Sequence, residues 1–375
     1  MIQVRPVLTR RDLDAFIELP FRLYADDPLW VPPLRRDMRR QLSPRHNPVF
    51  GEAQITLFVA CDEHGEVVGR ISTCVHHAYN ARFGDEHAFF GFFETCARRE
   101  VGAALLEAAC QWARSHGKQV LSGPYSFTPN QDAALLLENL DGRAPTLLQT
   151  YNPLWYAQVL ADQGFEQAFT FSTYGTEVAA AKPRRERDAE DLLPGRQVHV
   201  RQATAADLKG GLEEIRQLFN NAFEGNHEVT PLTPASFGFL VDSMRAFVDL
   251  QGVEVVEVDG EPMAFFVVLP DLNQILQRLG GRLRLLDLLR LGRYRRAVDG
   301  AVIALIGASS QVQGGGLGRL LALRMRRYVQ QRYARVDTMW IDDRNPSSYV
   351  LARNIGMQRT KRYGVFRRVL APSFE

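Results

Sequence analysis

Apolar positions along the chain switch between a period of two and a period near 3.6, and the order of these runs occurs twice. In the first half, Ile2–Pro6 reads as a short strand, and Leu13, Phe16, Ile17 and Phe21 share one face of a helix. Thr56–Cys61 and Val67–Val75 are strand-like runs with Gly65 as the turn between them. His87–Phe93 is a further strand, followed by a helix over Glu100–Ser115 and a short strand at Val120–Ser122. The second half begins with a strand at Val198–Gln202 and a helix over Ala205–Phe223. Val253–Val258 and Pro262–Leu269 flank Asp259-Gly260, a dipeptide that suits a tight hairpin. After an insertion, Ala301–Gly307 is a strand, Leu317–Arg332 a helix, Asp337–Ile341 a strand and Ser347–Ile355 a helix.

Two copies of one unit therefore predict an α/β fold, with mixed sheets in tandem. The run Ala179–Gln197 separates them: it carries Lys182-Pro183-Arg184-Arg185-Glu186-Arg187-Asp188 and Pro194-Gly195 and has no apolar period. The expected units are residues 1–178 and 198–375, joined by 179–197, and a length of 375 residues suits two domains. A net charge of +2 gives no reason to expect a DNA partner. No apolar run approaches the length of a membrane span, and the N-terminal residues lack a signal-peptide core. Cys61, Cys74, Cys96 and Cys110 are scattered singly, as buried thiols in a reducing compartment would be, so a cytoplasmic protein is expected.

The densest chemical signal is Gln313-Gly314-Gly315-Gly316-Leu317-Gly318, set between an apolar strand and a strongly periodic helix. Glycines there let successive backbone N–H groups point outward, and the helix that follows adds its positive dipole end, which suits a pyrophosphate. A tight strand-to-helix turn without a ligand has the same sequence requirement. The spacing of Gln313, Gly316 and Gly318 resembles the acyl-CoA loop of the Gcn5-related N-acetyltransferase superfamily. It does not resemble the dinucleotide fingerprint, because it follows the fourth strand of its unit and no acid closes a later strand. Asn345-Pro346-Ser347-Ser348 and the terminating Gly356 resemble that superfamily's final helix, although Asn345 also suits a simple helix cap.

The resemblance implies acetyl-CoA or another acyl-CoA as co-substrate, held by Gly307, Ala308, Ser309, Ser310, Val312, Gln313, Gly314, Gly315, Gly316, Leu317, Gly318, Arg319 and Asn345. It implies direct N-acyl transfer to an amine on a small molecule, protein or peptide. Two positions depart from the family's pattern. Gln313 stands where a basic residue is usual, and Ala352 stands where a tyrosine protonates the leaving thiolate, with Tyr349 about one helical turn earlier.

Further strings, among them Asp27-Pro28-Leu29-Trp30, Phe89-Phe90-Gly91-Phe92-Phe93-Glu94, Tyr151-Asn152-Pro153 and Trp340-Ile341-Asp342-Asp343-Arg344-Asn345, resemble the YghO-like group of long bacterial proteins. That resemblance spans nearly the whole chain and implies two tandem units, the first degenerate. In the first half, Arg99-Glu100-Val101-Gly102-Ala103-Ala104 matches the loop pattern with a single glycine, which offers few free amides. This half is expected to hold no CoA and to shape the acceptor site or a homodimer.

Acyl transfer needs the amine deprotonated and the thioester carbonyl polarised. The candidate side chains are Asp342, Tyr349, Asp271 and Glu94; Asp343 and the pair His227-Glu228 lie in similar loops. Acids after a strand also serve as solvated turns or helix caps, and His227-Glu228 is too short for a metal site, so no metal is expected. The insertion 272–298 interleaves Arg278, Arg282, Arg284, Arg290, Arg293, Arg295 and Arg296 with leucines. It reads either as a helical arm with solvated arginines or as a lid for an anionic partner: the 3′-phosphate of CoA, an acidic acceptor or a lipid head group. Two rival functions fit the same pattern: a Fem-like transferase that uses aminoacyl-tRNA, and a binding protein that keeps the pocket without catalysis.

Overall fold

The computed structural model describes residues 1–84, 86–129, 131–178, 195–204, 212–223, 229–244, 249–309, 317–345, 349, 352–353 and 356–370. The first half runs β1 (Gln3–Pro6), α1 (Arg10–Leu23), α2 (Arg35–Gln41), α3 (Val49–Glu52), β2 (Ala53–Cys61), β3 (Val67–His76), α4 (His77–Phe83) and β4 (His87–Thr95). It continues with α5 (Arg99–Ser115), β5 (Val120–Gly123), β6 (Leu135–Asn139), α6 (Tyr156–Asp162) and β7 (Glu166–Glu177). The second half contains β8 (Val198–Gln202), α7 (Leu212–Phe223), α8 (Pro234–Met244), β9 (Val253–Val258), β10 (Glu261–Pro270), α9 (Asn273–Leu279) and α10 (Leu285–Arg296). It closes with β11 (Gly300–Ala308), α11 (Leu317–Gln330), β12 (Arg335–Thr338), β13 (Ile341–Asp342) and β14 (Gln358–Val369).

Local chemistry explains the principal helices. Thr9 caps α1 by accepting from the Asp12 N–H, and the Asp12 carboxylate accepts from the Thr9 N–H in return. The helix then buries Phe16, Ile17 and Leu19 against one face of the sheet. On the other face, α5 buries Val101, Leu105, Leu106, Ala109 and Ala113 at helical spacing. In the second half α11 does the same with Leu317, Leu320, Leu321, Met325 and Val329.

The strands lie in the order β1-β2-β3-β4-β5-β14-β7-β12-β11-β10-β9-β8, with β6 beside β14 and β13 beside β7. Each half contributes three antiparallel neighbours and then one parallel pair, β4 with β5 and β11 with β12. The expected repeat of element order is therefore a repeat of pairing pattern, in a mixed α/β sheet. The sixth place in each half is exchanged. The chain's last strand, β14, pairs with β5, while β7 from the first half pairs with β12. The two exchanged strands also pair with each other from Gln358–Gly175 to Arg367–Glu166, making one sheet of both halves.

A charge network sits on this seam. Lys361 of β14 is 1% exposed and its Nζ lies 2.9 Å from Asp141. Arg335 of β12 bonds the same Asp141 at 2.9 Å and Asp337 at 2.8 Å. Burial pushes the Asp337 carboxyl above its ordinary range, against the pull of Arg335 and Lys361. The four cysteines carry free thiols, and all but Cys96 are buried. Among the described residues no helix is long and apolar enough to cross a membrane.

Candidate active site

The site follows from how the two parallel pairs end. β11 and β12 pair only over Gly300–Arg335 to Ile303–Thr338, yet β11 continues to Ala308. The sequence pattern suggested one strand over 337–341. The structure instead divides it at Met339 and Trp340, after which Ile341 and Asp342 turn away to pair with β7. The Met339 N–H still reaches the Ile303 carbonyl at 3.0 Å, and from there the strands part. Ser309 donates its N–H to Met263 of β10 at 2.8 Å. Since successive amides alternate in direction, the N–H groups of Ile306 and Ala308 point to the opposite edge, where no described strand pairs. Gly307 and Ala308 thus lie on a half-open strand edge, and Ser309 is buried just beyond it.

The N-terminus of α11 completes this wedge. Leu317 is buried, whereas Gly318 and Arg319 are exposed in the first turn. A Cβ at Gly318 would meet nothing within 4 Å, so there is room for a ligand beside amides that lack intrahelical partners. Ser310, Val312, Gln313, Gly314, Gly315 and Gly316 lie outside the described residues, as do His227 and Glu228. An open strand edge leading to a helix N-terminus fits the extended, amide-bearing arm and the phosphates of an acyl-CoA.

A cavity of about 600 Å³ lies where β12 gives way to β13. Asp342, Asp343, Tyr349, Arg353, Arg359 and Tyr174 help to line it, so two of the candidates from the sequence, Asp342 and Tyr349, come together. Both Asp342 oxygens accept from Arg344, with Nε to Oδ1 at 2.9 Å and Nη2 to Oδ2 at 2.7 Å. Asp343 accepts a hydrogen bond from the Thr170 hydroxyl of β7. Tyr349 is 42% exposed, and its ring centroid lies 5.7 Å from that of Tyr174. The Asn345 carbonyl accepts from the Tyr349 N–H at 3.5 Å, and the Asn345 N–H donates to the Asp342 carbonyl at 2.8 Å.

Tyr174 was not legible as a site residue. It belongs to β7 of the first half, and only the strand exchange brings it here. Burial raises its phenol above the ordinary value, so it stays protonated at neutral pH.

Two other candidates lie in tightly satisfied surroundings. Glu94 is 9% exposed; Tyr24 and Tyr156 donate to its Oε2 at 2.5 and 3.0 Å, and Arg70 stands 3.7 Å from Oε1. Burial raises its carboxyl, partly offset by Arg70. Asp271, one residue before the Leu272 N-cap of α9, accepts from the Leu147 N–H at 2.8 Å and the Asn273 N–H at 3.3 Å, tying a loop of the first half to the start of the helix. Its burial pushes the carboxyl up to about 6.

The equivalent wedge in the first half is closed. β4 and β5 pair over His87–Val120 to Phe89–Ser122, but the chain then stays against β4, with the Tyr125 N–H bonded to the Phe90 carbonyl at 2.8 Å. A Cβ on Gly91 would fall 1.5 Å from the Tyr125 oxygen, so backbone fills the space between the strands. Gly102, the glycine of the loop-like string, lies inside α5, where a Cβ would meet Val159 of α6 at 2.6 Å. It serves close helix packing there.

No known family model matches the chain. It is 27% identical over 373 residues to Protein YghO of Escherichia coli (strain K12), covering 97% of this chain and 94% of that one. It is 28% identical over 382 residues to a bacterial ceramide synthase of Caulobacter vibrioides (strain NA1000 / CB15N), covering 98% of each. Among solved structures, a tandem GNAT protein from the clavulanic acid biosynthesis pathway superposes with a TM-score of 0.58 over the whole of both chains at 16% identity. A GCN5-related N-acetyltransferase from Sphaerobacter thermophilus gives a TM-score of 0.55 at 11% identity, covering 100% of this chain and 97% of that one. The chain has the tandem Gcn5-related N-acetyltransferase fold and, along nearly its whole length, resembles the YghO-like group.

Proposed function

We propose that the protein is an acyl-CoA-dependent N-acyltransferase whose second half alone holds the thioester. The observation that carries this reading is the asymmetry of the two wedges. The β11 edge is open and leads to the N-terminus of α11, whereas backbone at Tyr125 fills the corresponding gap beside β4. In this reading the Ala308 N–H polarises the thioester carbonyl, and the first turn of α11 meets the pyrophosphate. An amine in the cavity beside Asp342 attacks the carbonyl carbon, the C–N bond forms and the C–S bond breaks. The departing thiolate takes a proton from Tyr349 or Tyr174, and the amine's surplus proton passes to Asp342, for which Arg344 must release a carboxylate oxygen. Asp271 and Glu94 act as structural groups. The acceptor is a small-molecule, protein or peptide amine.

Acetyl-CoA is the simplest donor. A second reading has one specific observation behind it: the likeness to the relative named as a ceramide synthase spans 98% of the chain. Ceramides are N-acylated long-chain amino alcohols, so a fatty acyl donor and a long-chain amino-alcohol acceptor belong in the same test.

Thermal melting with acetyl-CoA, palmitoyl-CoA and free CoA is the first experiment, and stabilisation by mass action is expected. The absence of a shift with all three overturns the reading and favours a Fem-like enzyme, which transfer from aminoacyl-tRNA would then reveal. Thiol release is then followed over amines that include long-chain amino alcohols. A shift without release from any of them leaves a binding protein. Tyr349→Phe or Tyr174→Phe, whichever removes the thiolate's proton source, lowers kcat roughly a hundredfold with KM unchanged.

A further inference from the structure

The insertion 272–298 is not absorbed by the proposed chemistry. Its second helix, α10, carries Leu285 and Leu289 at 82% and 84% exposure, and Leu283, Leu286 and Leu288 are exposed beside them. Elsewhere among the described residues, exposed large apolar side chains occur singly or as the pair Leu154-Trp155, so five in a stretch of seven residues need a reason. Helical geometry sets Leu285 and Leu289 on one line pointing away from the protein. Leu291 and Tyr294 point the other way and pack against Leu272, Ile275 and Val298. The helix is therefore anchored by one face and bare on the other.

Charge identifies what covers the bare face. Between 282 and 296 the chain has six arginines and one acid, Asp287, in a protein whose net charge is only +2. Asp287 is spent on the Arg284 N–H at 3.0 Å, at the start of the helix. Among the described residues no carboxylate pairs with Arg290, Arg293 or Arg296, which project from the helix beyond its leucines. A second copy packed on this face would bring two arginine clusters together with almost no counter-charge. An anionic bilayer instead supplies phosphates at the depth of the guanidinium groups and hydrocarbon just below, where exposed leucines lose water.

We propose that α10 is a membrane-docking helix that seats the protein on an anionic lipid surface. Leu285 and Leu289 enter the acyl boundary, with Leu286 and Leu288 at their flanks, and Arg290, Arg293 and Arg296 bind lipid phosphates. Residues 297–299 join α10 directly to β11, so the open strand edge is close in sequence to the docked helix.

The test is sedimentation of the full-length protein with vesicles of phosphatidylethanolamine and phosphatidylglycerol, and with vesicles of phosphatidylcholine alone. Binding to the anionic vesicles is expected, weakening with salt, and little binding to the neutral ones. Leu285→Ser with Leu289→Ser lowers partitioning roughly tenfold or more. Arg290→Gln with Arg293→Gln and Arg296→Gln does so at least about tenfold and flattens the salt dependence. Because these side chains are exposed, melting temperatures stay unchanged, and either variant set suffices if the other fails to fold. Failure of the wild type to bind anionic vesicles overturns the proposal, as does equal binding by both variant sets. A shift in oligomeric state of the leucine variant without lipid also overturns it, because a second copy then covers the face. Vesicle binding is read without catalysis, so the acyltransfer reading stands or falls separately.

Discussion

The two wedges of this sheet are built alike and end differently. Each follows three antiparallel neighbours and begins with a short parallel pair. Two residues past the last parallel pair stands Gly91 in one half and Leu305 in the other. Without a side chain, β4 lets the Tyr125 backbone press against it, and the gap closes. In the second half the chain turns at Met339-Trp340 towards β7, and among the described residues no strand pairs with the edge at Ile306–Ala308. The lesson is that one glycine and one strand break decide which copy of a duplicated unit retains room for a ligand.

The largest expected effect comes from filling the closed wedge. Gly91→Ala sets a methyl group on the Tyr125 carbonyl, which backbone must move to relieve, and should destabilise by more than about 4 kcal/mol. Chemical denaturation measures this, and a loss under 1 kcal/mol, as a rough mark, would show that the first wedge yields easily. Next comes the seam between the halves. Asp141→Asn leaves Lys361 buried without its carboxylate and is expected to cost about 3 kcal/mol, with both halves melting together. Separate transitions in calorimetry would instead mean that the halves are independent.

Gly318→Glu tests the open wedge alone. Its Cβ has free space, and a negative charge suits a helix N-terminus, so stability should hold or rise slightly. CoA affinity measured by calorimetry should fall by roughly a hundredfold, since the anion site is now occupied by an anion. Unchanged affinity would place the phosphates elsewhere.

The smallest effect is pH-dependent. With its folded value raised to about 6 from 3.8, Asp271 is easier to bury neutral than ionised. The folded state therefore holds this proton more tightly, and wild-type stability declines from about pH 4 to pH 6 on its account. The neutral amide introduced by Asp271→Asn keeps an oxygen that can accept from Leu147 and Asn273. This variant should thus match the wild type near pH 4 and exceed it by about 2 kcal/mol near pH 8, as melting curves can check. An equal difference at both ends would mean that the carboxyl does not titrate in this range.

Much of this was legible in the chain. The period of Leu317, Leu320, Leu321, Met325 and Val329 specified α11, whose observed end at Gln330 lies two residues before the expected one. The alternation at Val253–Val258 and around Asp259-Gly260 specified the β9–β10 hairpin. The Asp271-to-Asn273 spacing suggested a helix cap; the N-cap is instead Leu272, and Asp271, one residue earlier, accepts from the Asn273 N–H. These are short-range relations, set by backbone geometry and the burial of one face, and a single chain carries them.

What the tertiary structure decided is partnership. A period of two tells which face of a strand is buried, and nothing about which strand lies alongside. β7 and β14 are each 12 residues long, and either could in principle close either half. Their exchange rests on the sum of long-range ladders and on the Asp141, Lys361 and Arg335 network. Tyr174 reached the cavity beside Asp342 only through that exchange, and Glu94 proved to be enclosed by Tyr24, Tyr156 and Arg70. The sequence by itself determined the elements that the two halves share and their twofold order. The choice of neighbours, and with it the open edge of β11, needed the whole sheet, because pairing energy is spread over residues far apart in the chain.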